Sequence, residues 1–402
     1  MYRMPFVLSI QTNSYTVGVL QHKTILIISP QDWGKMLLSK HHYALELAKA
    51  GNTVYFLQPP DQKAELPYNS VTILESGLHK NLFMIQHRLF FPFWLKFKAM
   101  PVFHALMKQH IRKILKTIDK NIDIIWSFDI GNLYPLDLFP KQSLKVFHPV
   151  DEPLQPEAVR AAKGAGIIFS VTNEILSKYE NYKLPMHFIH HGVSENFLHA
   201  LGNGTYTTGQ PLKVGYAGNL LRNDVDRSTL LVIINENPEV EFHFFGSYKL
   251  KQTNIGGSED EGTKEFIKKL EQLPNVKLHG VLGQEELATA FAAMDAFLVC
   301  YDIEKDQSRG TNYHKLMEYL ATGRVIIANN ITTYASMPGL IQMTTERTHN
   351  NGLPGLFKSV ISNLSYHNSP ERLDERKRFA ASNTYQHQVS RIGEILEPLL
   401  PK

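Results

Sequence analysis

Residues 308–330 read SRGTNYHKLMEYLATGRVIIANN, and this stretch decides how the rest of the chain is interpreted. Its pattern predicts a loop, then a helix over 312–321 capped by Thr311, then a buried strand over 325–328. Gly323 lies between the helix and the strand, where a left-handed C-terminal cap favours glycine. The stretch therefore predicts a helix–strand unit with an open loop at the N-terminus of the helix.

The loop before this helix is suited to binding an anion. A helix N-terminus offers unpaired N–H groups at the positive end of its dipole, and Gly310, Thr311 and Asn312 leave that backbone accessible. Lys315 adds a positive charge one turn along, and Glu318 could accept two hydrogen bonds from the hydroxyls of a ribose. This layout suits a nucleotide sugar, whereas the alternative is a surface helix with solvated charges.

The composition is that of a globular protein with two domains of ordinary size, because 402 residues are 43% hydrophobic and 20% charged. Cys300 is the single cysteine, which excludes a disulfide framework and fits a reducing compartment. No apolar run is long enough to span a bilayer. Residues 1–22 lack the features of a secretory signal and are interpreted as a short extension, so a cytoplasmic location is expected.

Positive charge is concentrated between residues 80 and 120, although the net charge of the whole chain is only +4. This segment carries nine lysines and arginines against one acid, interleaved with seven phenylalanine and tryptophan residues. Such a surface attracts an anionic membrane, and the segment predicts peripheral contact with the inner face of the cell membrane. The alternative is a core helix with basic flanks, and a nucleic-acid partner is not expected.

Strands and helices alternate twice along the chain, which predicts two parallel sheets with right-handed crossovers. The expected organisation is a first domain over 23–198, a linker over 199–211, a second domain over 212–375, and a C-terminal helix over 376–402 that could cross back to the first domain. No G-x-G-x-x-G follows the first strand, so a dinucleotide-binding domain is not indicated. The expected strands cover 24–28, 53–57, 122–126, 145–147, 167–169, 187–189, 213–217, 240–245, 276–279, 296–301 and 325–328, and the expected helices include 35–50, 101–118 and 284–293.

Polar residues and glycines follow the strands of the second domain. Gly218, Asn219 and Arg222 follow its first strand, and Gly246 and Ser247 follow the next. Ligands of parallel sheets collect at the carboxyl ends of the strands, so these residues are expected to meet the 310–315 loop in one pocket. Arg222 can hold phosphate oxygens with its planar fork of donors.

Taken together, these motifs resemble those of GT-B glycosyltransferases, most nearly the retaining enzymes of glycosyltransferase family 4 of the bacterial cell-surface polysaccharide type. The resemblance covers roughly residues 23–380 and holds in order in both halves. Its motifs are GNL at 218–220, LPNV at 273–276 with HG at 279–280, EL at 286–287, Asp295, and residues 312–328. In the first half they are HYALELA at 42–48 with Gly51, the strand end at 55–60, FHPVDE at 147–152, and residues 189–197.

The resemblance implies a role for each matching residue. Arg222 and Lys315 would neutralise the leaving diphosphate, and Glu318 would bind the ribose. Asp151 and His148 would face the acceptor or the transferred sugar, although Asp151 could instead cap a helix ahead of Pro153. The chain departs from the family at two places. Position 310 is glycine, where many relatives carry a second glutamate. Arg222 is followed by Asp226-Arg227, where relatives often have a lysine five residues on.

The fold expected from this resemblance is α/β, with two Rossmann-like domains facing a central cleft. The expected activity is retaining transfer of a sugar from a UDP- or GDP-sugar to a lipid-linked or polysaccharide acceptor in cell-surface glycan biosynthesis. No obligatory metal is expected, because the histidines form no closed ligand set and Asp224-Val225-Asp226 fits a helix-starting loop. The alternatives are a GT-B-fold sugar-nucleotide epimerase and a non-catalytic protein that binds a nucleotide sugar.

Overall fold

The computed structural model of the protein describes residues 20–34, 37–202, 209–250, 257–306 and 309–400. Several sequence expectations lie wholly or partly outside these ranges, including the last two residues of the C-terminal helix over 376–402. They also include nearly all of the extension over 1–22, residues 203–208 of the linker, and the first two residues of the helix over 35–50.

The first sheet is formed by residues 24–188 in the order β3-β4-β2-β1-β5-β6-β7-β8. The edge strand β3 pairs antiparallel with β4, and the other neighbouring strands pair in parallel. We call this sheet, its helices and the segment up to residue 191 the first lobe. Its strands are β1 (Thr24–Ile28), β2 (Thr53–Leu57), β3 (Val71–Glu75), β4 (Leu82–His87), β5 (Ile124–Ser127), β6 (Leu144–Phe147), β7 (Ile167–Ser170) and β8 (Met186–Phe188).

The second sheet is parallel throughout its described strands, in the order β11-β10-β9-β12-β13-β14. We call this sheet with its helices, residues 212–381, the second lobe. Its strands are β9 (Leu212–Ala217), β10 (Val240–Phe245), β11 (Val276–Gly280), β12 (Ala296–Val299), β13 (Val325–Ala328) and β14 (Gln342–Met343).

Helices connect most of these strands. The described helices are α1 (Ser39–Lys49), α2 (Leu95–Lys98), α3 (Met100–Ile118), α4 (Pro156–Arg160), α5 (Asn173–Ser177), α6 (Glu195–Leu201), α7 (Arg227–Glu236), α8 (Glu261–Gln272), α9 (Gln284–Ala292), α10 (Lys315–Thr322), α11 (Leu353–Ser362), α12 (Leu364–His367), α13 (Pro370–Ala381) and α14 (Tyr385–Leu396).

The first sheet is buried on both faces, which explains why its central strands are nearly continuous apolar runs. Leu26 and Ile28 of β1 pack in one core cluster with Phe103 and Met107 of α3. The alternate residues of β1 pack in another cluster with apolar residues of α1 and α14. The second sheet has a core of the same kind, built around its own central strands.

The strands of the two sheets agree closely with the sequence predictions, and β1, β2, β10 and β13 have the predicted bounds. The hairpin of β3 and β4 was not predicted. Part of the linker prediction was also wrong, because residues 199–201 belong to α6. The helix expected over 35–50 begins only at Ser39, since Leu37 and Leu38 are not helical.

The last helix lies on the first lobe. Val193 and Thr384 form a parallel bridge, with the Val193 amide donating to the Asn383 carbonyl over 3.0 Å. Tyr385 at the start of α14 stacks on His42 of α1, with 4.6 Å between ring centroids. Gly192 has to be glycine here, because a β-carbon would lie 2.7 Å from the Tyr385 ring.

Gly323 connects α10 to β13, and its backbone conformation favours glycine. Its φ is +79°, and a β-carbon would lie 2.8 Å from the Leu373 carbonyl oxygen. We expect Gly323→Ala to lower the free energy of unfolding by about 1–2 kcal/mol. Gly355 in α11 has ordinary φ and open space around it, so Gly355→Ala should be neutral or stabilising by up to about 1 kcal/mol. Urea midpoints that fall equally for both variants would contradict this account.

Candidate functional site

A cleft of about 640 Å³ lies between the two lobes. Its first-lobe wall comes from the start of α1 and the segment after β6, together with His191. Its second-lobe wall comes from the segments after β9, β10, β11 and β12 and from the start of α10. The predicted site residues that line it are Asp151, Gly218, Asn219, Arg222, Gly246, Asn312, Lys315 and Glu318.

Two glycines keep the second-lobe wall open to close approach. Gly246 has φ of +132°, and a β-carbon on it would lie 2.2 Å from the Gly218 carbonyl oxygen. A β-carbon on Gly218 would lie 3.1 Å from both the Lys315 ammonium and the Tyr301 hydroxyl. A side chain at position 246 would displace the backbone of Gly218. A side chain at position 218 would occupy the space beside the Lys315 ammonium.

Lys315 is held at the base of this wall by neutral groups. Its ammonium donates to the Ala217 carbonyl and to the Tyr301 hydroxyl, and lies 4.5 Å from the centroid of the Tyr301 ring. In the described part of the chain no carboxylate lies within ion-pairing distance of it. Burial lowers the pKa of Lys315 to about 7, so the site is prepared to gain a proton when an anion binds.

Arg222 adds a second cation, positioned by Asp224. Its Nε donates to both oxygens of Asp224 over 2.9 Å, and this hydrogen bonding raises the pKa of the guanidinium. Asp226 of the same D-x-D string caps α7 by accepting from the Thr229 amide over 3.0 Å. Both carboxylates of the string therefore serve the protein itself, one orienting Arg222 and the other starting a helix.

Glu318 lies one turn after Lys315 on α10 and lines the same cleft. Burial raises its pKa to about 7, against the opposing effect of the nearby Lys315 charge. A carboxylate that is costly to ionise gains most from ligand hydroxyls that donate hydrogen bonds to it.

The loop before α10 differs from the prediction. Thr311 does not cap the helix, which begins at Lys315. The carbonyls of Gly310 and Thr311 accept from the amides of Thr332 and Thr333 over 3.0 and 3.2 Å, so this backbone pairs with a distant segment. The Gly310 amide donates to Asp306 Oδ2 over 2.8 Å, and neither residue 310 nor 311 lines the cleft.

Asn312 is the residue of this loop that does reach the cleft. Its amide nitrogen donates to the Val171 carbonyl of the first lobe over 3.0 Å, which ties the two walls together. Its side-chain oxygen is buried without a hydrogen-bond partner. The nitrogen of the Asn312 side chain therefore links the two lobes by a hydrogen bond, and its oxygen can accept a hydrogen bond from a ligand hydroxyl.

Of two further predicted residues, Ser247 lies outside the cleft, whereas Asn219 lines it as expected. Ser247 is fully buried behind the wall, where its carbonyl accepts from the Leu220 amide over 2.9 Å. Asn219 lines the cleft and organises the turn after β9, because its Oδ1 accepts from the Leu221 amide over 3.0 Å.

His148 was expected to face the cleft, and this prediction is wrong. Its ring is fully buried, accepts from Trp126 Nε1 over 3.3 Å and stacks on Phe128 with centroids 4.9 Å apart. Burial lowers the pKa of His148 to about 3, so it is a neutral core residue. Asp151, three residues on, does line the cleft, and it caps no helix, because α4 begins at Pro156 after Gln155.

Four residues that line the cleft were not assigned to the site by the sequence analysis. They are Lys40, His42, His191 and His314, the last of which precedes Lys315. His42, His191 and His314 meet there, with the His314 centroid 6.0 Å from that of His42 and 5.6 Å from that of His191. Burial keeps all three neutral by lowering their pKa values, and His314 Nε2 is buried without a partner. The signal for His314 was its place next to Lys315, whereas nothing local marks Lys40, which lines the same wall.

The described chain has the GT-B architecture of two parallel-dominated α/β lobes facing a cleft. By sequence, no protein-family model and no curated protein matches the chain. Several solved structures match its fold. Sucrose-phosphate synthase from Thermosynechococcus elongatus has a TM-score of 0.67 at 15% identity, covering 94% of this chain and 99% of that one.

Anabaena HepE in complex with UDP and glucose has a TM-score of 0.61 at 15% identity, covering 94% of this chain and 99% of its own. The lipopolysaccharide outer core galactosyltransferase WaaB has a TM-score of 0.60 at 14% identity, covering 93% of this chain and 99% of its own. These likenesses establish the GT-B fold of the chain.

If a nucleoside diphosphate binds in this cleft, Lys315 makes its affinity depend on pH. A diphosphate beside the ammonium raises its pKa above the value of about 7 in the empty site, so binding takes up a proton. The affinity for UDP should therefore fall by up to about tenfold per pH unit above pH 7. Isothermal titration at several pH values measures this.

Two variants separate the contributions of the charged pair. Lys315→Met should bind UDP weakly and without this fall. As the pH rises through about 7, Glu318 ionises and binds the ribose more strongly, which partly offsets the loss of affinity caused by Lys315. In Glu318→Gln this offset is absent, so the affinity for UDP should fall more steeply with pH than in the unmodified protein. An affinity of the unmodified protein that is flat from pH 7 to 9 would contradict the assignment of Lys315.

Proposed function

We propose that the protein is a glycosyltransferase that moves a sugar from a nucleoside diphosphate donor to an acceptor held by the first lobe. The observation that carries this proposal is the meeting of Lys315, Arg222 and Glu318 with the open turns at Gly218 and Gly246 in one cleft between two lobes. Cations, accessible backbone and a carboxylate are the groups that a diphosphate and a ribose require.

The donor diphosphate is assigned to Lys315 and Arg222. The ribose is assigned to Glu318, one helical turn from Lys315. The apolar residues Phe245 and Leu282 line the cleft beyond these groups and offer a surface for the base. We take a UDP-sugar as the first donor to test, since HepE is solved with UDP, and a GDP-sugar as the second.

The sugar would lie towards the first lobe, beside Asn312 and His314. Their unpaired side-chain atoms can exchange hydrogen bonds with sugar hydroxyls. This arrangement compensates for the lack of a carboxylate at Gly310, whose amide is already engaged by Asp306. The neutral side chains of Asn312 and His314 would then recognise the hydroxyls of the sugar.

Catalysis would rest on stabilising the leaving diphosphate. As the glycosidic bond breaks, negative charge grows on the diphosphate next to Lys315 and Arg222, in a site where burial strengthens the attraction. Asp151 lines the opposite wall and would orient the acceptor hydroxyl. We assign retention at the anomeric carbon, which proton NMR of the first product formed would show directly.

An exposed apolar patch supports a membrane-bound acceptor. Within the basic segment, Phe91 and Phe103 are buried, which fits the core alternative for part of its aromatics. Trp94, Phe97 and Val102 are instead 57%, 71% and 50% exposed. Large exposed apolar groups among lysines suit an anionic bilayer surface.

We therefore propose a lipid-linked or polysaccharide acceptor of cell-surface glycan synthesis, reached at the cytoplasmic face of the membrane. No helix in the described ranges is long and apolar enough to cross a bilayer.

Transfer activity tests the main proposal. With a panel of UDP- and GDP-sugars and membrane extract as acceptor, Lys315→Ala should reduce turnover at least about a hundredfold, as loss of one charge-stabilising group does. Glu318→Ala should mainly raise the KM for the donor. Lys268→Ala changes an exposed lysine on α8 and is the matched control.

The results also separate the alternatives. UDP binding without hydrolysis or transfer of any sugar would favour a non-catalytic protein, the alternative to which glycine at position 310 points. Conversion of a nucleotide sugar with no acceptor product would favour an epimerase. Absence of any nucleotide binding would contradict all of these assignments.

Vesicle flotation tests the membrane proposal. Trp94→Ser combined with Phe97→Ser should shift the protein from anionic vesicles into solution, because both side chains are exposed and removable without a core cavity. Tyr366→Ser changes another exposed aromatic, 60% accessible, outside the basic segment and should leave flotation unchanged. Equal flotation of the double variant and the unmodified protein would contradict this role of the patch.

A further inference from the structure

A buried lysine lies at the start of α1 on the first-lobe wall of the cleft. Lys40 is 3% exposed and lines the cleft, and its ammonium donates to the side-chain oxygen of Gln31. In the described ranges no carboxylate lies within ion-pairing distance of it. A cation buried with only a neutral amide partner is costly to the folded protein, so an anionic ligand that pairs with Lys40 would be strongly favoured here.

The backbone around Lys40 favours the same kind of ligand. Ser39 and Lys40 are the first two residues of an eleven-residue helix, and Leu38 before them provides no side-chain cap. Leu38, Ser39 and Lys40 all line the cleft, so the positive end of the α1 dipole opens onto it. The helix end and the ammonium together form a site for a phosphate or a carboxylate.

Carboxylates near Lys40 keep it charged without pairing with it. Asp151 and Asp129 act on it electrostatically from the segments after β6 and β5, and they partly offset the burial that lowers its pKa to about 8. His314 and His41 face it as neutral rings, with pKa values lowered by burial to about 4 and about 3. At neutral pH the ammonium is therefore largely protonated.

The position of Lys40 separates it from the cations assigned to the donor. Arg222 and Lys315 belong to the second lobe, whereas Lys40 shares the first-lobe wall with Asp151. Asp129, one of the carboxylates that act on Lys40, also attracts Lys96, which contacts the Gly131 carbonyl and lies beside Phe97 of the exposed apolar patch.

We propose that Lys40 and the N-terminus of α1 bind an anionic group of the acceptor, a phosphate or a carboxylate that the acceptor sugar carries or that joins it to a lipid. This inference rests on the proposed function, since it names the chemistry of the acceptor for that same cleft. The acceptor would be held by its charge at Lys40 while its hydroxyl faces Asp151.

The test measures binding of inorganic phosphate to protein saturated with UDP, at constant ionic strength. Phosphate should bind the unmodified protein, and Lys40→Met should weaken that binding by about ten- to a hundredfold, the effect of losing a charge-assisted hydrogen bond. Lys49→Met is the control, because Lys49 is an exposed lysine in the last turn of the same helix. Lys40→Met should melt no lower than the unmodified protein, and Lys40→Gln provides a second variant.

Three soluble competitors identify the source of the anion. Displacement of phosphate by glucose 6-phosphate would indicate a phosphosugar, and displacement by farnesyl diphosphate would indicate a lipid diphosphate, in each case lost in Lys40→Met. Displacement by glucuronate instead would indicate a carboxylate, and displacement by none of the three compounds would contradict the proposal. A tenfold loss of UDP affinity in Lys40→Met would also overturn it, because Lys40 would then belong to the donor site.

The same measurements distinguish this proposal from the proposed function. If UDP fails to bind the unmodified protein, the proposed function fails, and phosphate binding that depends on Lys40 is then measured in protein without nucleotide. If UDP binds and phosphate binding is absent or equal in the Lys40 and Lys49 variants, the acceptor proposal alone is wrong.

Discussion

The buried ammonium of Lys315 is the constraint on which the cleft depends. Its partners are the Ala217 carbonyl at the end of β9 and the hydroxyl of Tyr301 just after β12, so one cation fixes the start of α10 against two strand ends. Gly218 must remain without a side chain because its β-carbon would lie against the same ammonium. The charge is offset by neutral oxygens and ring faces, which leaves it available to an anionic ligand.

The two walls of the cleft have different chemistry. The second lobe presents open glycine turns, Lys315 and an arginine oriented by its own aspartate. The first lobe presents Asp151, Lys40 and two histidines that burial keeps uncharged. Direct ties between the walls include the Asn312 amide on the Val171 carbonyl, and the chain returns to the first lobe through α14. The residues that we assign to the donor and to the acceptor are therefore divided between the two lobes.

The central strands were predictable from the sequence. A strand buried on both faces is a short apolar run, such as TILII in β1 and VIIA in β13, and such runs are not typical of exposed segments. β3 was missed because it is a half-exposed edge strand, and β4 because its apolar residues begin the basic segment over 80–120 that was interpreted as membrane-facing. The start of α10 was misplaced because Gly310 and Thr311 are held by Thr332 and Thr333, some twenty residues away, and local capping rules do not detect such pairing.

The sequence by itself determined the alternating α/β order, the glycine turns after β9 and β10, and the presence of Lys315 and Glu318 one turn apart on a helix, because all of these depend on local spacing. Only the tertiary structure decided which polar residues reach the cleft. His148 follows β6 and is enclosed by Trp126 and Phe128, whereas Lys40, the second residue of α1, lines the cleft. That difference arises from packing between elements distant in the chain, which no local pattern contains.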